Sequence, residues 1–312
     1  MNYQQFLIFR DLELKNNPDL IDLGNTNLYK YFNFDNTVKD IKGHVNGNVH
    51  RCHLVEDWLS YYNVDQLHKK NIGVSNGVRN TLQLLIENYK NKHWLIPSDV
   101  YPFYQLNINN NVSKVSEYQT LTFSEKFKDL PQADIMLLNY PLKPFGHKIM
   151  EHEKDNIFKW IKNDSSRILI VDAVYAKKED IPYLIDLYNQ GRVYLLFSLS
   201  KGWCLPNIFG VNFVPKEDAD ARCMFKKIER NETNLKLAYS ALHEPDFLAR
   251  EMMIEKKINE NRASINVLGK FDAGSYLYYS ETSAEDHLRN GYLVIPASVF
   301  GGKIGSVISL LK

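Results

Sequence analysis

Five points in this chain carry groups able to do chemistry, and each follows an apolar run. Residues 193–197 read Val-Tyr-Leu-Leu-Phe and pass through Ser198, Leu199 and Ser200 to Lys201. Lysine is rarely buried without a partner. A desolvated lysine loses proton affinity and becomes a nucleophilic amine able to form a Schiff base; the plain alternative is a solvated residue at a strand end. The run RILIV at 167–171 leads to Asp172 and, three residues on, Tyr175, a carboxylate and a phenol just past a strand. The commoner role for such an aspartate is a helix N-cap. The run ADIMLLN at 133–139 ends in Asn139 and a segment with two prolines, through Gly146. Residues 71–75 run into Asn76-Gly77, a turn that opens a helical pattern at Val78. Free N–H groups at such a helix start suit an anion such as phosphate. Residues 97–104, PSDVYPFY, read as a tight aromatic loop. Its rings either pack under the loop or offer a platform for a flat ring.

The elements that must position these residues follow from periodicity. Short apolar runs at 71–75, 93–96, 133–139, 167–171 and 193–197 read as strands. Helical spacing separates them: 55–62, 78–89 through Val78, Leu82, Leu85 and Tyr89, 150–161 through Ile157, Trp160 and Ile161, and 181–188. This alternation predicts an α/β fold with a mostly parallel sheet sandwiched by helices. Ligands of such sheets sit beyond the carboxyl ends of the strands, where Gly77, Tyr101, residues 139–146, Asp172, Tyr175 and Lys201 all fall. After Pro215 the pattern changes. Residues 216–262 are charged and mostly helical; 271–279, 292–295 and 303–311 read as strands, and 284–289 as a short helix. The expected organisation is an N-terminal arm over 1–30, a large domain over 31–215 and a smaller α+β domain over 216–312.

Bulk properties narrow the partners. With 312 residues the chain can bury a sizeable core, and its net charge of +1 offers no electrostatic reason to expect nucleic acid or a membrane surface. Cys52, Cys204 and Cys223 are too few and scattered for a disulfide framework, which favours a reducing, cytoplasmic location. The N-terminus lacks the pattern of a signal peptide. His44, His50, Cys52 and His53 fit no zinc spacing and read as a polar loop, so no metal is expected.

Taken in order, the motifs resemble the fold-type I pyridoxal-phosphate enzymes, in particular class I/II aminotransferases of the histidinol-phosphate aminotransferase and threonine-phosphate decarboxylase kind. SLSKGWCLP, 198–206, is similar to the family's SxSKxxGLxG. VDAVY, 171–175, matches its DxxY pair, LNYPLKPFG, 138–146, its LNYPNNPTG, and GYLVIPASVFG, 291–301, its GVxVxPGSxFG. The resemblance spans residues 20–311 and implies pyridoxal 5'-phosphate as cofactor, acting as an electron sink. It implies that Lys201 holds the cofactor and shuttles protons and that Asp172 pairs with the ring nitrogen. It further implies that Tyr175 meets the phenolic oxygen, that Tyr101 stacks on the ring, and that Ser198 and the backbone of Gly77 and Val78 hold the phosphate. Tyr29 aligns with a tyrosine that reaches the neighbouring subunit's phosphate, which implies a homodimer. The substrate class implied is an amine or amino-acid-like small molecule.

Three positions depart from the pattern. Lys143 replaces the asparagine at the phenolic oxygen, where a cation would stabilise the phenolate. Phe209 replaces the arginine that clamps the phosphate, leaving Arg79 or Lys143 to supply the charge. Val307 replaces the arginine that grips a substrate carboxylate. The readings that follow are an aminotransferase with unusual substrate recognition, a lyase, decarboxylase or cyclase on the same cofactor, or a binding protein that keeps the fold without catalysis.

Overall fold

The computed structural model describes residues 1–24, 50–120, 130–142, 149–203, 205, 208–216, 218–226, 228, 231–243, 247–265, 277–300 and 305–310. Lys143, Tyr29, Cys204 and the prolines at 144 and 206 lie outside the described residues.

The apolar runs form one seven-stranded sheet in the order β2-β8-β7-β6-β5-β3-β4. Its strands are β2 (Ile72–Ser75), β3 (His93–Pro97), β4 (Lys114–Tyr118), β5 (Ile135–Asn139), β6 (Ile168–Asp172), β7 (Val193–Ser198) and β8 (Gly210–Phe213). Every neighbouring pair is parallel except those made by β8, which runs against both β2 and β7. The strand ends that carry Ser75, Pro97, Asn139, Asp172 and Ser198 therefore share one rim. Every residue of β5, β6 and β7 is buried, as expected of strands covered on both faces. Alternate residues feed two cores. Leu138, Val171 and Leu195 join one with Trp58, Trp160 and Leu184, while Leu137, Ile170 and Tyr194 join the other with Leu82, Leu85 and Trp94.

The covering helices include α2 (Arg51–Tyr61), α3 (Val78–Tyr89), α5 (Glu151–Lys162) and α6 (Ile181–Tyr188). The boundaries of α3, α5 and α6 match the spacing because each buries one apolar stripe, such as Ile157, Trp160 and Ile161 of α5, whereas α2 begins at Arg51, ahead of the expected 55. Three findings differ from the sequence expectation. The aromatic loop is only half loop: α4 (Pro102–Asn111) begins inside it, with Pro102 in the first turn where its missing N–H costs nothing. β4 is an edge strand with a mostly polar surface, which hides it from an apolar pattern. The N-terminal arm opens with α1 (Tyr3–Asn16), capped by Asn2 and Gln5, and β1 (Ile21–Asp22) pairs with β10 (Tyr292–Leu293).

After Pro215 come α8 (Ala219–Lys226), α9 (Glu232–Leu242) and α10 (Phe247–Ile265). A three-stranded antiparallel sheet of β9 (Leu277–Ser280), β11 (Ile295–Pro296) and β12 (Ser306–Ser309) follows, with β12 in the middle. Phe6 of α1 packs with Phe300 and Val307 in a separate small core, so the two ends of the chain share it. No described helix is long and apolar enough to cross a membrane.

Candidate active site

The sheet's connections run outward from β3 to β4, and from β5 toward β7 on the other side. Such a reversal opens a crevice at the strand ends. Asn139 and Asp172 are register partners there, on adjacent strands, and both side chains are buried. A buried carboxylate needs hydrogen bonds. Asp172 Oδ1 accepts from the Val174 backbone N–H at 3.2 Å, and the Tyr104 phenol lies near enough to feel the charge of the same carboxylate. Burial, and after it the negative charge of Asp172, holds the Tyr104 phenol well above its ordinary pKa. Tyr104 thus keeps its proton beside the carboxylate. Among the described residues, buried Asn139 Oδ1 has no hydrogen-bond partner, which leaves an acceptor at the crevice open to a donor from a bound group.

Lys201 sits in α7 (Leu199–Gly202), a single turn that starts as β7 ends. Its Nζ lies 5.2 Å from the centre of the Tyr175 ring. The side chain is partly exposed, so the strand delivers the amine to the rim instead of into the core. Ser198 caps this turn: its Oγ accepts from the Ser200 N–H at 3.1 Å and donates to the Phe209 carbonyl at 3.2 Å. The hydroxyl proton is thereby committed to the protein, and only a remaining lone pair faces any phosphate.

The turn at Gly77 is held from beneath. Asn212 Nδ2 donates to Ser75 Oγ at 3.1 Å, Ser75 Oγ donates to the Gly77 carbonyl at 3.1 Å, and the Thr81 hydroxyl lies 3.0 Å from Asn212 Oδ1. Gly77 has φ of 106°, a conformation that favours glycine. Gly210 of β8 packs against it so closely that a Cβ would come 2.6 Å from Ser75 Oγ and 3.0 Å from the Gly77 Cα. This network aims the first N–H groups of α3 at the rim.

Arg79, in the first turn of α3, lies over both the Tyr101 and Phe103 rings at 5.2 Å and donates to the Tyr101 hydroxyl at 2.9 Å. Among the described residues it has no carboxylate partner. Tyr3 of α1 meets Tyr101 edge-on at 6.1 Å. Burial, then the nearby Tyr101, pushes the Tyr3 phenol up, and Tyr175 and Arg79 act on it as well. Where the resemblance placed arginines, the structure shows packing: Phe209 and Val307 are fully buried among apolar neighbours.

Gly77, Val78, Arg79, Tyr101, Asp172, Tyr175, Ser198 and Lys201 are thus all placed at the strand-end rim or in the turns that leave it. Tyr104, Asn139 and Tyr3 belong to it as well. Tyr104 was hidden because α4, which begins at Pro102, lies in a segment that reads as loop. Asn139 carried a signal, a polar residue ending an apolar strand. Tyr3 carried none, since its arrival depends on tertiary packing. A ring with a nitrogen to pair, a donor to offer and a phosphate to anchor fits the buried carboxylate, the open Asn139 acceptor and the Gly77 turn.

No protein-family model matches the chain, and no curated protein matches it by sequence. Solved structures match over nearly its full length. An aminotransferase from Mycobacterium tuberculosis superposes with a TM-score of 0.74 at 14% identity, over 99% of this chain and 91% of that one. The aspartate aminotransferase of Thermotoga maritima gives 0.73 at 16% identity, over 99% and 92%. The histidinol-phosphate aminotransferase of Clostridium acetobutylicum gives 0.66 at 15%, over 93% and 94%. The chain has the fold of the fold-type I aminotransferases.

Proposed function

We propose that the protein is a pyridoxal-phosphate-dependent enzyme that acts on an amine or amino-acid-like small molecule, with transamination as its reaction. The observation that carries this reading is the Asp172 carboxylate, buried, bonded by the Val174 N–H and in register with Asn139 on the same rim as Lys201. The fold shared with aminotransferases supports it. When bound, pyridoxal phosphate supplies an electron sink that stabilises negative charge on the carbon bearing a substrate's amine.

The residues divide the work. Lys201 is the amine that would hold the cofactor and move a proton to and from the substrate carbon. Asp172 would face the ring nitrogen and keep it protonated, since a fixed negative charge favours the cationic form. Tyr175 would meet the phenolic oxygen, and Tyr101 the ring face. The N–H groups after Gly77 would take the phosphate, with Arg79 supplying the charge that Phe209 cannot. The apolar packing of Val307 removes one cation from substrate recognition, which favours a substrate bound by other contacts. Lys143 as a further contact, the homodimer and a cytoplasmic location remain part of the same proposal.

The test is spectroscopic. Purified protein given pyridoxal phosphate should develop the visible band of lysine-bound cofactor, and Lys201→Ala should abolish it. Amine donors should then convert the cofactor to its pyridoxamine form. Absence of the band in the unaltered protein would sink the enzyme reading; release of CO₂ or ammonia without pyridoxamine would replace transamination with lyase chemistry.

A further inference from the structure

A second cleft lies away from the rim, on the outer edge of the large sheet. Its lining includes Ile72, Gly73 and Val74 of β2, with Phe225 from α8 packed against the strand. Gly73 permits that packing, because a Cβ there would come 2.3 Å from the Phe225 ring. The cleft has a volume of about 880 Å³, within the roughly 300–1,000 Å³ typical of small-molecule sites.

Its charge is one-sided. Arg51, Lys69, Lys70, Lys216 and Lys226 line it, and no carboxylate does among the described residues. Glu56 holds Lys69, Arg51 donates to the Ile228 carbonyl at 3.2 Å and Lys216 to Asn189 Oδ1 at 3.2 Å. Lys70 and Lys226 are exposed and make no ion pair or hydrogen bond among the described residues. The whole chain carries a net charge of only +1, so this concentration of cations is local and not the expression of a basic protein. A cleft with apolar walls focuses such a field on whatever enters.

We infer that this cleft binds a small, multiply anionic ligand with an aromatic portion, the chemistry of a nucleoside polyphosphate. The lysines and Arg51 would take the anionic groups, and Phe225 with Val55 and Val74 the ring. The volume argues for the organic part, since an inorganic phosphate would leave most of it unfilled. None of the lining residues belongs to the proposed active site, so the two proposals stand or fall separately. β2 links them: residues 72–74 border the cleft, and Ser75 leads into the Gly77 turn.

Isothermal titration of the full chain with ATP at physiological ionic strength tests this, with inorganic tripolyphosphate as the second probe. ATP should bind with a stoichiometry of one, more tightly than tripolyphosphate. In the double variant Lys70→Glu, Lys226→Glu its affinity should fall at least about tenfold, since two exposed contacts become repulsive. Circular dichroism should show that variant folded, because both side chains are exposed. Saturating pyridoxal phosphate should leave ATP binding unchanged. No heat with ATP, equal affinity in the double variant, equal affinity for tripolyphosphate, or competition by pyridoxal phosphate would each overturn the inference.

Discussion

Asn139 and Asp172 stand opposite each other at the ends of two adjacent parallel strands, one with an acceptor left open and the other with its carboxylate held. The pair costs the empty protein stability, because a buried polar atom without a partner loses its water and gains nothing. That cost is recovered when a ligand supplies the donor.

Asn139→Leu should therefore separate stability from binding. Removing the unpaired oxygen should leave the cofactor-free protein as stable or more stable, by up to about 1 kcal/mol. Affinity for pyridoxal phosphate should fall by about tenfold, the loss of roughly one hydrogen bond. Thermal melts with and without cofactor, together with a spectroscopic titration, measure both effects.

Tyr104→Phe should lower stability by about 0.5–1.5 kcal/mol, the range for one ordinary polar contact. The unaltered protein should also lose stability in strong alkali. The folded Tyr104 pKa lies above its unfolded value near 10, so its contribution is full below about pH 10 and drains away above it. Denaturant melts between pH 8 and pH 11, values chosen to bracket about 10, should show that slope shrink in the variant.

Lys201→Ala should reduce turnover by about 10³-fold or more, as expected when a positioned proton-transfer group is removed. The thermal midpoint should stay near that of the unaltered protein, because the side chain reaches the rim and not the core. A comparable loss of stability would assign the lysine a structural role instead.

His287 predicts an acid sensitivity. It is buried 3.3 Å from the Ser280 hydroxyl, and burial holds its pKa below the ordinary 6.5. Between those two values the unfolded chain binds the extra proton, so stability is full above about pH 6.5 and declines as pH falls through the folded value. Melts across that window, compared with His287→Gln, should show the slope in the unaltered protein alone.

Val307→Arg tests whether a substrate-carboxylate grip can be restored by one change. Val307 is fully buried beside Phe6 and Phe300. An arginine there would bury a charge without a partner, and the protein should lose about 3 kcal/mol or more. A folded variant with gained activity on an α-carboxylate amine would show the opposite.

Much of this was legible in the sequence because its cause is local. Continuous apolar runs made β5, β6 and β7 plain, since both faces of those strands are covered. The stripe of Val78, Leu82, Leu84, Leu85 and Tyr89 made α3 plain. Helix α4 was illegible: Phe103 and Leu106 stay exposed while only Tyr104 and Ile108 are buried, which leaves little periodicity to read. β4 shows polar side chains at the sheet edge, and β8 is short and holds Gly210 and Asn212 for contacts with β2. Lys201 and Asp172 announced themselves by their place after apolar runs. The approach of Tyr104 to Asp172 joins residues far apart in the chain, and no local pattern records it.

The strand order also sets a timetable for assembly. β2 lies at the edge of the large sheet, and its one sheet partner is β8. A ribosome releases Ser75 and Gly77 early and Gly210 and Asn212 much later. Until then the serine has no Asn212 amide to receive and the glycine turn has nothing packed behind it. β5, β6 and β7 can join as they emerge, each beside its predecessor. The proposed phosphate cradle, although β2 precedes every other strand of the large sheet in the chain, is therefore among the last parts of that sheet to close.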